Sequence, residues 1–457
     1  LPQLTDGCYQ ACRNVRRMLP FSALKTRRQT FGGKMNYFIH TYGCQMNIHD
    51  SEKIAGMLES LGYNPCDSME NADIVVFNTC CIRETAEQKI YGHIGQVKKL
   101  KQRNRNMIVA VVGCMSQQDG VAAQIRESYP YVDIVLGTGN LGMLKEAVQG
   151  LKQSRKRKVY NTEFLSFSEE DYETTRTSFP NAWVNINYGC NNFCSYCLIP
   201  YVRGRSRSRA LDKVVEEVRS VPENIKEIVL TGIDISSYGK DIGLSLKDLI
   251  LALSDVDKRI RLGSFEMNII DDGLLNALKG LKHFCPHFHL SLQSGSDEVL
   301  RTMNRHYKTK DYLERVRLIR KYFPLAGITT DVIVGFPTET DKEFFVSKEF
   351  VKSVGFSDVH CFPYSPRKGT VAYKKYKPLD SSVIDGRMKE MLEIKENLKK
   401  DFLLKNVGAT HEVLFEEYEN GYCAGYSENY IRFYDKTAKP DEIRKITGKA
   451  QIFDGLM

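Results

Sequence analysis

Residues 183–197 read WVNINYGCNNFCSYC and place three cysteines, Cys190, Cys194 and Cys197, in the spacing Cys-x3-Cys-x2-Cys. The residues before them, 183–187, have the apolar character of a buried strand. Three thiolates this close in the chain can wrap a loop around an iron–sulfur cube, because soft sulfur ligands suit such clusters. A cube held by three ligands keeps one iron open. Zinc is the structural alternative, but structural zinc normally takes four protein ligands.

This cysteine stretch opens a series of strand–helix units. The pattern predicts strands at 183–187, 227–231, 261–264, 288–293, 329–334 and 358–363. Six such units are typical of a (β/α)6 barrel or partial barrel, with chemistry at the carboxyl ends of the strands. A long charged helix is predicted at 384–405. Short alternating strands follow it, for example 411–415 and 430–434, and indicate a small β-barrel.

The N-terminal half has a different pattern, in which short, fully apolar runs alternate with helical stretches. The runs lie at 37–41, 74–78, 108–112 and 134–137. This alternation predicts a doubly wound α/β domain with a parallel sheet. One helix is predicted at 50–61, ending at Gly62.

Three further cysteines, Cys44, Cys80 and Cys114, each follow one of these predicted strands. The carboxyl ends of parallel strands share one edge of a sheet, so these thiols are expected to converge there. They therefore predict a second cluster held by three thiolates. Cys81 adjoins Cys80 but would point the opposite way in extended chain, and we interpret it as a bystander.

The sequence thus predicts an α/β protein with five segments. They are a basic extension (1–34), a doubly wound domain with the second cysteine group (35–150), a linker (151–180), a six-unit partial barrel (181–405) and a small β-barrel (406–457). Cys8 and Cys12 in the extension are interpreted as an incidental pair. A further strand would be expected after FDGLM at the end of the last segment.

Composition excludes some classes of protein. The chain has 457 residues, 42% of them hydrophobic, which is typical of globular domains and not of disordered or fibrous chains. No apolar run is long enough for a membrane span, and no apolar segment follows the basic residues near the N-terminus, so neither a span nor a secretory signal is predicted. The odd number of cysteines, 13, favours reduced thiols in a cytoplasmic protein. The net charge of +9 is compatible with a nucleic-acid partner.

Four motifs resemble the methylthiotransferase family of radical S-adenosylmethionine enzymes. They are TYGCQMNIHDSE (41–52), NTCCIRETAEQKIYGHIG (78–95), GCMSQ (113–117) and GCNNFCSYCLIPYVRGRSRSR (189–209). These motifs resemble the branch that makes 2-methylthio-N6-dimethylallyladenosine in tRNA. The stretches LTGIDISSYG (230–239), LGSFEMNIID (262–271) and PHFHLSLQSGSD (286–297) are more similar to the branch acting on threonylcarbamoyladenosine. The resemblance extends from residue 35 to the end.

The resemblance implies two 4Fe–4S clusters, one on Cys190, Cys194 and Cys197 and the other on Cys44, Cys80 and Cys114. It also implies S-adenosylmethionine as cofactor and methylthiolation at C2 of an N6-modified adenosine beside the tRNA anticodon. Because sulfur transfer needs near contact, both clusters are expected to face one cavity. The implied partners are the tRNA anticodon stem-loop and a flavodoxin- or ferredoxin-like electron donor, with no membrane, and the enzyme is expected to be a monomer.

The family pattern suggests further site residues. Candidate contacts to S-adenosylmethionine, all at strand ends or in the cysteine loop, are Tyr196, Thr231, Gly232, Glu266, Gln293, Ser294 and Phe336. For each of these, a role in shaping a turn is the structural alternative. Asn47 and Asn78 are candidates for hydrogen bonds to cluster sulfur or substrate, or for capping.

Four arginines alternate at 203–209 and would point one way in extended chain; Arg203 and Arg205 are candidate contacts to phosphate. The last segment resembles a TRAM RNA-binding domain. Residues 408–457, however, have six basic and nine acidic side chains, so RNA binding there cannot rest on bulk charge.

Four functions remain open from the sequence. Methylthiolation of N6-dimethylallyladenosine in tRNA is favoured, and the same reaction on N6-threonylcarbamoyladenosine is the main alternative. Methylthiolation of a ribosomal-protein aspartate is disfavoured, because Gly43-Cys44-Gln-Met-Asn47 stands where that branch has Gly-Cys-Pro-Lys-Asn. The non-enzymatic alternative is an iron–sulfur module that binds RNA or senses redox state.

Overall fold

The structure, a computed structural model, describes residues 35–81, 84–154, 158–163 and 174–457. The predicted basic extension, with Cys8 and Cys12, lies outside the described residues, as do 155–157 and 164–173 of the predicted linker. The chain forms two compact units. The first comprises the residues up to Thr177 together with Leu198–Gly204, and the second comprises Ser178–Cys197 and Arg205–Met457.

The first unit is an α/β domain on a parallel sheet of six strands in the order β2-β1-β3-β4-β5-β6. Its elements are β1 (Met35–Thr41), α1 (Gln45–Ser60), β2 (Tyr63–Pro65), β3 (Ile74–Thr79), α2 (Glu84–Arg103), β4 (Ile108–Gly113), α3 (Val121–Ser128), β5 (Ile134–Leu136), α4 (Leu144–Gln153) and β6 (Val159–Asn161).

Successive side chains along each strand point to opposite faces of the sheet, and each face is covered by helices. On β3 and β4, one set of side chains packs with α1 and α4, and the intervening set packs with α2 and α3. Both faces of the sheet are therefore covered, which is why these strands are apolar at every position.

Two features of this unit differ from the sequence prediction. Helix α1 begins at Gln45, earlier than predicted, because Cys44 takes the extended N-cap conformation. Strand β6 lies inside the segment predicted to be a linker and pairs with β5. At the far end of that segment, Arg176 forms an ion pair with Glu52 of α1, Nη1 to Oε2 at 3.0 Å.

The second unit contains six parallel strands, β7, β9, β10, β11, β12 and β13, with helices between them. Its elements are β7 (Asn181–Tyr188), β8 (Arg207–Ser208), α6 (Leu211–Ser220), β9 (Glu227–Gly232), α7 (Leu246–Ala252), β10 (Arg259–Leu262), α8 (Asp272–Lys279), β11 (His287–His289), α9 (Asp297–Thr302), α10 (Thr309–Tyr322), β12 (Gly327–Val334), α11 (Asp341–Val354), β13 (Asp358–Pro363), α12 (Val371–Lys375) and α13 (Ser381–Asn406). A short helix, α5 (Ile199–Val202), precedes β8 and belongs to the first unit.

These strands form an open partial barrel. One sheet has the order β10-β9-β7-β8 and a second has the order β11-β12-β13. A bridge between Phe265 and Leu290 connects the two sheets. The predicted (β/α)6 partial barrel is confirmed, with β8 as an added antiparallel strand beside β7.

The chain ends in a small β module on a sheet in the order β17-β14-β15-β16-β19-β18. Its strands are β14 (Thr410–Glu419), β15 (Tyr422–Ser427), β16 (Arg432–Asp435), β17 (Ile443–Thr447), β18 (Gln451–Ile452) and β19 (Gly455–Leu456). The module packs on the barrel through Arg259 and Arg261. Arg259 donates to the Glu412 carbonyl at 2.6 Å, and Arg261 donates to the Ser427 carbonyl at 3.1 Å.

This contact lies near the amino-terminal ends of the barrel strands, whereas the Cys190 loop follows the carboxyl end of β7. Within the second unit, the terminal module and the cysteine loop thus occupy opposite ends of the barrel. Across the described residues, every helix is too short or too polar to cross a bilayer.

Candidate metal-cluster sites

The Cys190 loop leaves β7 at Gly189, which has a φ of +65°, and the loop is held by the segment between α9 and α10. The Ser195 amide donates to the Met303 carbonyl at 2.9 Å, and the Asn304 side chain donates to the Phe193 carbonyl at 3.0 Å. These bonds fix the backbone on both sides of Cys194, so the thiols are held on a defined loop.

The three thiols of this loop lie close enough to influence one another. Burial raises the pKa of Cys190 to about 12, and Asp234 and the neighbouring Cys194 and Cys197 add to the increase. A buried thiol with two further thiols beside it fits a metal-cluster site, because bound iron would supply the positive charge that stabilises thiolates.

Arg305 supplies positive charge beside this loop, and the sequence analysis did not identify it. Its Nη1 donates to the Cys194 sulfur at 3.3 Å, and its Nη2 pairs with Glu266 Oε1 at 2.8 Å. The Asn192 side chain donates to the same Glu266 oxygen at 3.0 Å. Burial raises the pKa of Glu266, and Arg305 opposes that increase. No local pattern marks Arg305 as part of this site, because Cys194 and Glu266 lie far from it in the sequence.

The other candidate cofactor residues occupy the expected strand ends. Thr231 is buried and Gly232 ends β9, where an added Cβ would lie 2.0 Å from Asn187 Oδ1. Gln293 has a φ of +69°, and its backbone N–H donates a hydrogen bond to the Asp331 carbonyl of β12 at 2.8 Å. Ser294 is fully buried beside it. The absence of a side chain at Gly232 lets the backbone pass close to Asn187, and the positive φ of Gln293 turns the chain beside β12.

Two aromatic candidates form a packed cluster. Phe336 is fully buried and makes edge contacts with Tyr196, at a centroid distance of 6.3 Å, and with Tyr364 at 5.2 Å. Phe336 therefore supports the cysteine loop by packing under Tyr196.

The second cysteine group lies at one edge of the first unit. Cys44, Cys80 and Cys114 follow β1, β3 and β4, which are neighbours in the parallel sheet. The expected convergence of the three strand ends is therefore confirmed. Gly43, with a φ of +103°, makes the approach possible, because an added Cβ would lie 2.5 Å from the Cβ of Cys80.

Cys81 also reaches this edge, and the expectation that it points away is wrong. Its thiol forms a hydrogen bond with Cys114 that lowers the pKa of Cys114 to about 6, with Arg203 contributing to the decrease. The chain is no longer in a strand at this position, so strict alternation of side chains does not apply. Burial raises the pKa of Cys44.

Arg203 lies in this second group, within the segment Leu198–Gly204 that packs in the first unit. Its Nε donates to the Cys114 sulfur at 3.0 Å, and its Nη2 donates to Asn47 Oδ1 and to Asp50 Oδ2, both at 2.8 Å. The side-chain amide of Asn47 also donates to the Tyr42 and Thr79 carbonyls. Asn47 thus links three loops of this edge.

Asn78 is likewise buried, and its amide donates to the Asn47 carbonyl at 2.8 Å and to Ser51 Oγ at 2.9 Å. Both asparagines therefore hold the loops that carry the thiols.

The arginine run 203–209 does not form one face, contrary to expectation. Arg203 and Arg209 are buried, and Arg209 donates to the Asn185 carbonyl at 2.8 Å and to Glu217. Arg205 is exposed and lies over the Phe193 ring at 4.3 Å. Only two of these residues, Arg207 and Ser208, form a strand, so the alternation assumed from an extended chain fails.

Both cysteine groups fit iron–sulfur clusters in their donor chemistry. Each brings at least three thiols together, and each has an arginine donating to one sulfur. The cysteines within the described residues are free thiols, so none is committed to a disulfide.

A third group of possible metal ligands, His289, Asp331 and His360, lies on the three adjacent strands β11, β12 and β13. There, Nδ1 of His289 bonds to Thr329 at 2.9 Å and Nε2 lies 3.3 Å from Asp331 Oδ2. Both ring nitrogens of His289 thus have protein partners.

Comparisons with known proteins match two regions of the chain to known families. Residues 36–137 match the family described as Uncharacterized protein family UPF0004, and residues 184–351 match the Radical SAM superfamily. The chain is 40% identical over 390 residues to a tRNA-2-methylthio-N(6)-dimethylallyladenosine synthase from Thermoanaerobacter sp. (strain X514), which covers 84% of this chain and 83% of that protein. It is 42% identical over 366 residues to the synthase of the same name from Clostridium tetani (strain Massachusetts / E88), covering 79% of this chain and 81% of that protein.

A solved structure shares the fold at low sequence identity. It is the radical S-adenosylmethionine methyltransferase TsrM from Kitasatospora setae, with a TM-score of 0.55 and 14% identity over 73% of this chain and 75% of that chain. The relatives at about 40% identity, the two matched regions and the two thiol groups lead to one assignment. This chain belongs to the tRNA-2-methylthio-N(6)-dimethylallyladenosine synthase family of radical S-adenosylmethionine methylthiotransferases, which use two 4Fe–4S clusters and S-adenosylmethionine.

Proposed function

We propose that this enzyme transfers a methylthio group to C2 of N6-dimethylallyladenosine beside the anticodon of tRNA. The proposal rests on one observation: the chain has two clusters of cysteine thiols, and in each of them an arginine donates a hydrogen bond to one sulfur. One cluster would suffice for a simple radical reaction, whereas sulfur insertion needs a second site that can hold sulfur. The names of the relatives at about 40% identity support the same substrate.

In this proposal Cys190, Cys194 and Cys197 hold the first cluster, and Cys44, Cys80 and Cys114 hold the second. When bound, the clusters and S-adenosylmethionine supply the radical that removes the C2 hydrogen, the sulfur and the methyl group. An unactivated C–H is too weak an acid for any amino-acid side chain to deprotonate, so the chain's own contribution is to bind, orient and exclude water.

The residues around the first cysteine group are polar on one side and aromatic on the other. Glu266, Asn192 and Arg305 form a bonded group beside Cys194, suited to the charged methionyl end of S-adenosylmethionine. We assign Thr231, Gly232, Gln293 and Ser294 to the same cofactor. Thr231 and Gly232 end β9, and Gln293 and Ser294 lie in the segment after the carboxyl end of β11. Tyr196, supported by Phe336, covers the loop from the apolar side.

At the second site, the choice between Cys80 and Cys81 can be tested directly. We assign Cys80 as the ligand, and its neighbour Cys81 provides a matched control. Cys80→Ala is expected to keep S-adenosylmethionine cleavage but stop formation of methylthio product, while Cys81→Ala keeps both. The reverse result, loss of product in Cys81→Ala and not in Cys80→Ala, would reassign the ligand.

The proposed macromolecular partner is the tRNA anticodon stem-loop. Arg205 is exposed, and its guanidinium lies over the ring of Phe193 in the Cys190 loop. An exposed guanidinium at this place is suited to bind a phosphate of the RNA. We assign an RNA-binding role to the TRAM-like terminal module. A flavodoxin- or ferredoxin-like protein is the proposed electron donor, and we propose a monomer that acts in the cytoplasm.

The substrate is tested with purified, anaerobically reconstituted enzyme, S-adenosylmethionine and reductant. Two tRNAs are compared, one with N6-dimethylallyladenosine and one with N6-threonylcarbamoyladenosine, and the nucleosides are identified by mass spectrometry. Methylthio product from the first tRNA alone is expected. Product from the second tRNA alone would favour the alternative indicated by residues 230–239 and 262–271. Product from neither tRNA, with 5′-deoxyadenosine still formed, would overturn both.

A further inference from the structure

Arg203 is a buried cation that donates a hydrogen bond to Cys114, a proposed cluster ligand. Its side chain is 5% exposed, and it divides its donors between the Cys114 sulfur on one side and Asn47 and Asp50 on the other. A buried guanidinium is costly unless its donors are satisfied, and here a carboxylate, an amide oxygen and a sulfur each accept one hydrogen bond from it.

The segment that carries Arg203 is anchored in the first unit. Leu198 and Val202 pack against Cys81 and Cys114 in one apolar cluster, and Thr138 Oγ1 donates to the Val202 carbonyl. Arg203 is therefore fixed at both its backbone and its guanidinium. In the sequence this segment directly follows Cys197, the last cysteine of the other group.

The chemistry of the Arg203 contact goes beyond an ion pair. Asp50 alone would balance the charge, at 2.8 Å from Nη2. A separate donor of the guanidinium, the Nε–H, donates to the Cys114 sulfur at 3.0 Å. Hydrogen bonds to ligand sulfur and nearby positive charge stabilise the more reduced, more negative state of an iron–sulfur cluster, which raises its reduction potential.

We propose that Arg203 is a positioning residue of the second cluster: its Nε–H holds the Cys114 sulfur and raises the reduction potential of the cluster bound there. This inference rests on the proposed assignment of Cys44, Cys80 and Cys114 as ligands. Asn47 and Asp50 orient the guanidinium so that its Nε faces Cys114. The same segment that leaves the first cysteine loop thus sets the electrostatics of the second site.

The test isolates the second cluster in the full-length chain. Cys190, Cys194 and Cys197 are all replaced by Ala, the protein is reconstituted anaerobically, and iron content and the reduction potential are measured, the latter by EPR-monitored titration. This parent protein should bind one cluster. A parent without any cluster would contradict the proposed ligand assignment itself, which keeps that failure separate from a failure of the inference.

Three variants are then compared in the parent. Arg203→Gln, which removes the charge and the directed donor, is expected to shift the potential to a more negative value and to lower iron retention. Arg203→Lys keeps the charge and can still pair with Asp50, so it should fold; without the Nε–H it is expected to shift the potential in the same direction by a smaller amount. Arg209→Gln changes another buried arginine of the same run, bonded to Asn185 and Glu217, and should leave the potential unchanged.

A parent-like potential in Arg203→Lys would overturn the proposal, because it would show that the directed bond to Cys114 has no effect. An equal shift in Arg209→Gln would also overturn it, because the effect would then be a general result of losing a buried arginine. Should Arg203→Gln fail to fold, Arg203→Lys still decides the question.

Discussion

Glu227 and Arg261 form a buried, two-bonded ion pair inside the barrel, with Nε to Oε1 at 2.7 Å and Nη2 to Oε2 at 3.0 Å. Arg259 adds a third bond to the same carboxylate at 3.0 Å. The two arginines also donate to carbonyls of the terminal module. One carboxylate therefore stabilises both the amino-terminal end of the barrel and the contact with the module.

Replacing this carboxylate should be strongly destabilising. Glu227→Gln removes the buried carboxylate that both arginines share, and breaking a buried pair in this way costs about 3–5 kcal/mol. Urea unfolding measures the loss. Glu216→Gln, in an exposed pair with Lys213, is the control and should change stability by less than about 1 kcal/mol. Equal midpoints for the two variants would contradict the role given to Glu227.

The same pair predicts acid sensitivity. Burial alone would raise the pKa of Glu227, but Arg261 and Arg259 lower it from its ordinary value to about 2. Because the folded-state pKa is depressed, the stabilising contribution is present above the unfolded pKa of about 4.5 and is lost as pH falls towards about 2. Glu227→Gln should therefore lose the part of the acid dependence that falls in this window. An unchanged slope of stability against pH between these values would show that Glu227 does not titrate there.

Glu416 should behave in the opposite way. Burial raises the pKa of this residue to about 7, and its carboxylate accepts a bond from Asn181 at 3.1 Å. Stability is then lost as pH rises from about 4.5 to about 7, because the unfolded chain releases this proton at the lower pH.

Glu416→Gln can still accept the bond from Asn181 and cannot ionise. It should stabilise the protein by about 1–3 kcal/mol at pH 8 and have little effect at pH 4.5. Thermal unfolding at the two pH values measures the difference. The raised pKa would be contradicted if the stability difference between Glu416→Gln and the wild type were the same at both pH values.

Gly43 is predicted to be essential for the second cluster. A Cβ at this position would lie 2.5 Å from the Cβ of Cys80, and the φ of +103° also disfavours any L side chain. In the chain that lacks the first cluster, Gly43→Ala should lose most of its iron. Gly62→Ala is the matched control, since Gly62 has a φ of +82° and no atom within 4 Å of an added Cβ. Gly62→Ala should lower the free energy of unfolding by about 1 kcal/mol through backbone strain, and the protein should keep its iron.

Arg305 is predicted to support the first cluster. Arg305→Gln removes the bond to the Cys194 sulfur and leaves Glu266 buried without its cation. Formation of 5′-deoxyadenosine should fall by roughly 10–100-fold, as is typical when an outer contact to a metal ligand is lost. Arg301→Gln, which alters an exposed pair with Glu298 one turn away, should retain full cleavage. Wild-type cleavage by Arg305→Gln would remove this residue from the site.

Much of the architecture could be predicted because it depends on neighbours in the sequence. The apolar runs that became β3 and β4, and the spacing of Cys190, Cys194 and Cys197, are local patterns. The convergence of Cys44, Cys80 and Cys114 follows from one further rule, that parallel strands end on one edge. The β6 strand was missed because three residues, Val159–Asn161, are too few to show a period.

The strand–helix order and the positions of the two groups of thiols can be predicted from the chain alone, since periodicity and spacing are properties of adjacent residues. Three contacts depend instead on how the chain folds: Arg203 is buried against Cys114, Cys81 reaches the same edge, and Arg305 donates to the Cys194 sulfur. A charged side chain is buried only where partners distant in the sequence accept its hydrogen bonds. Alternation along the chain carries no information about those partners.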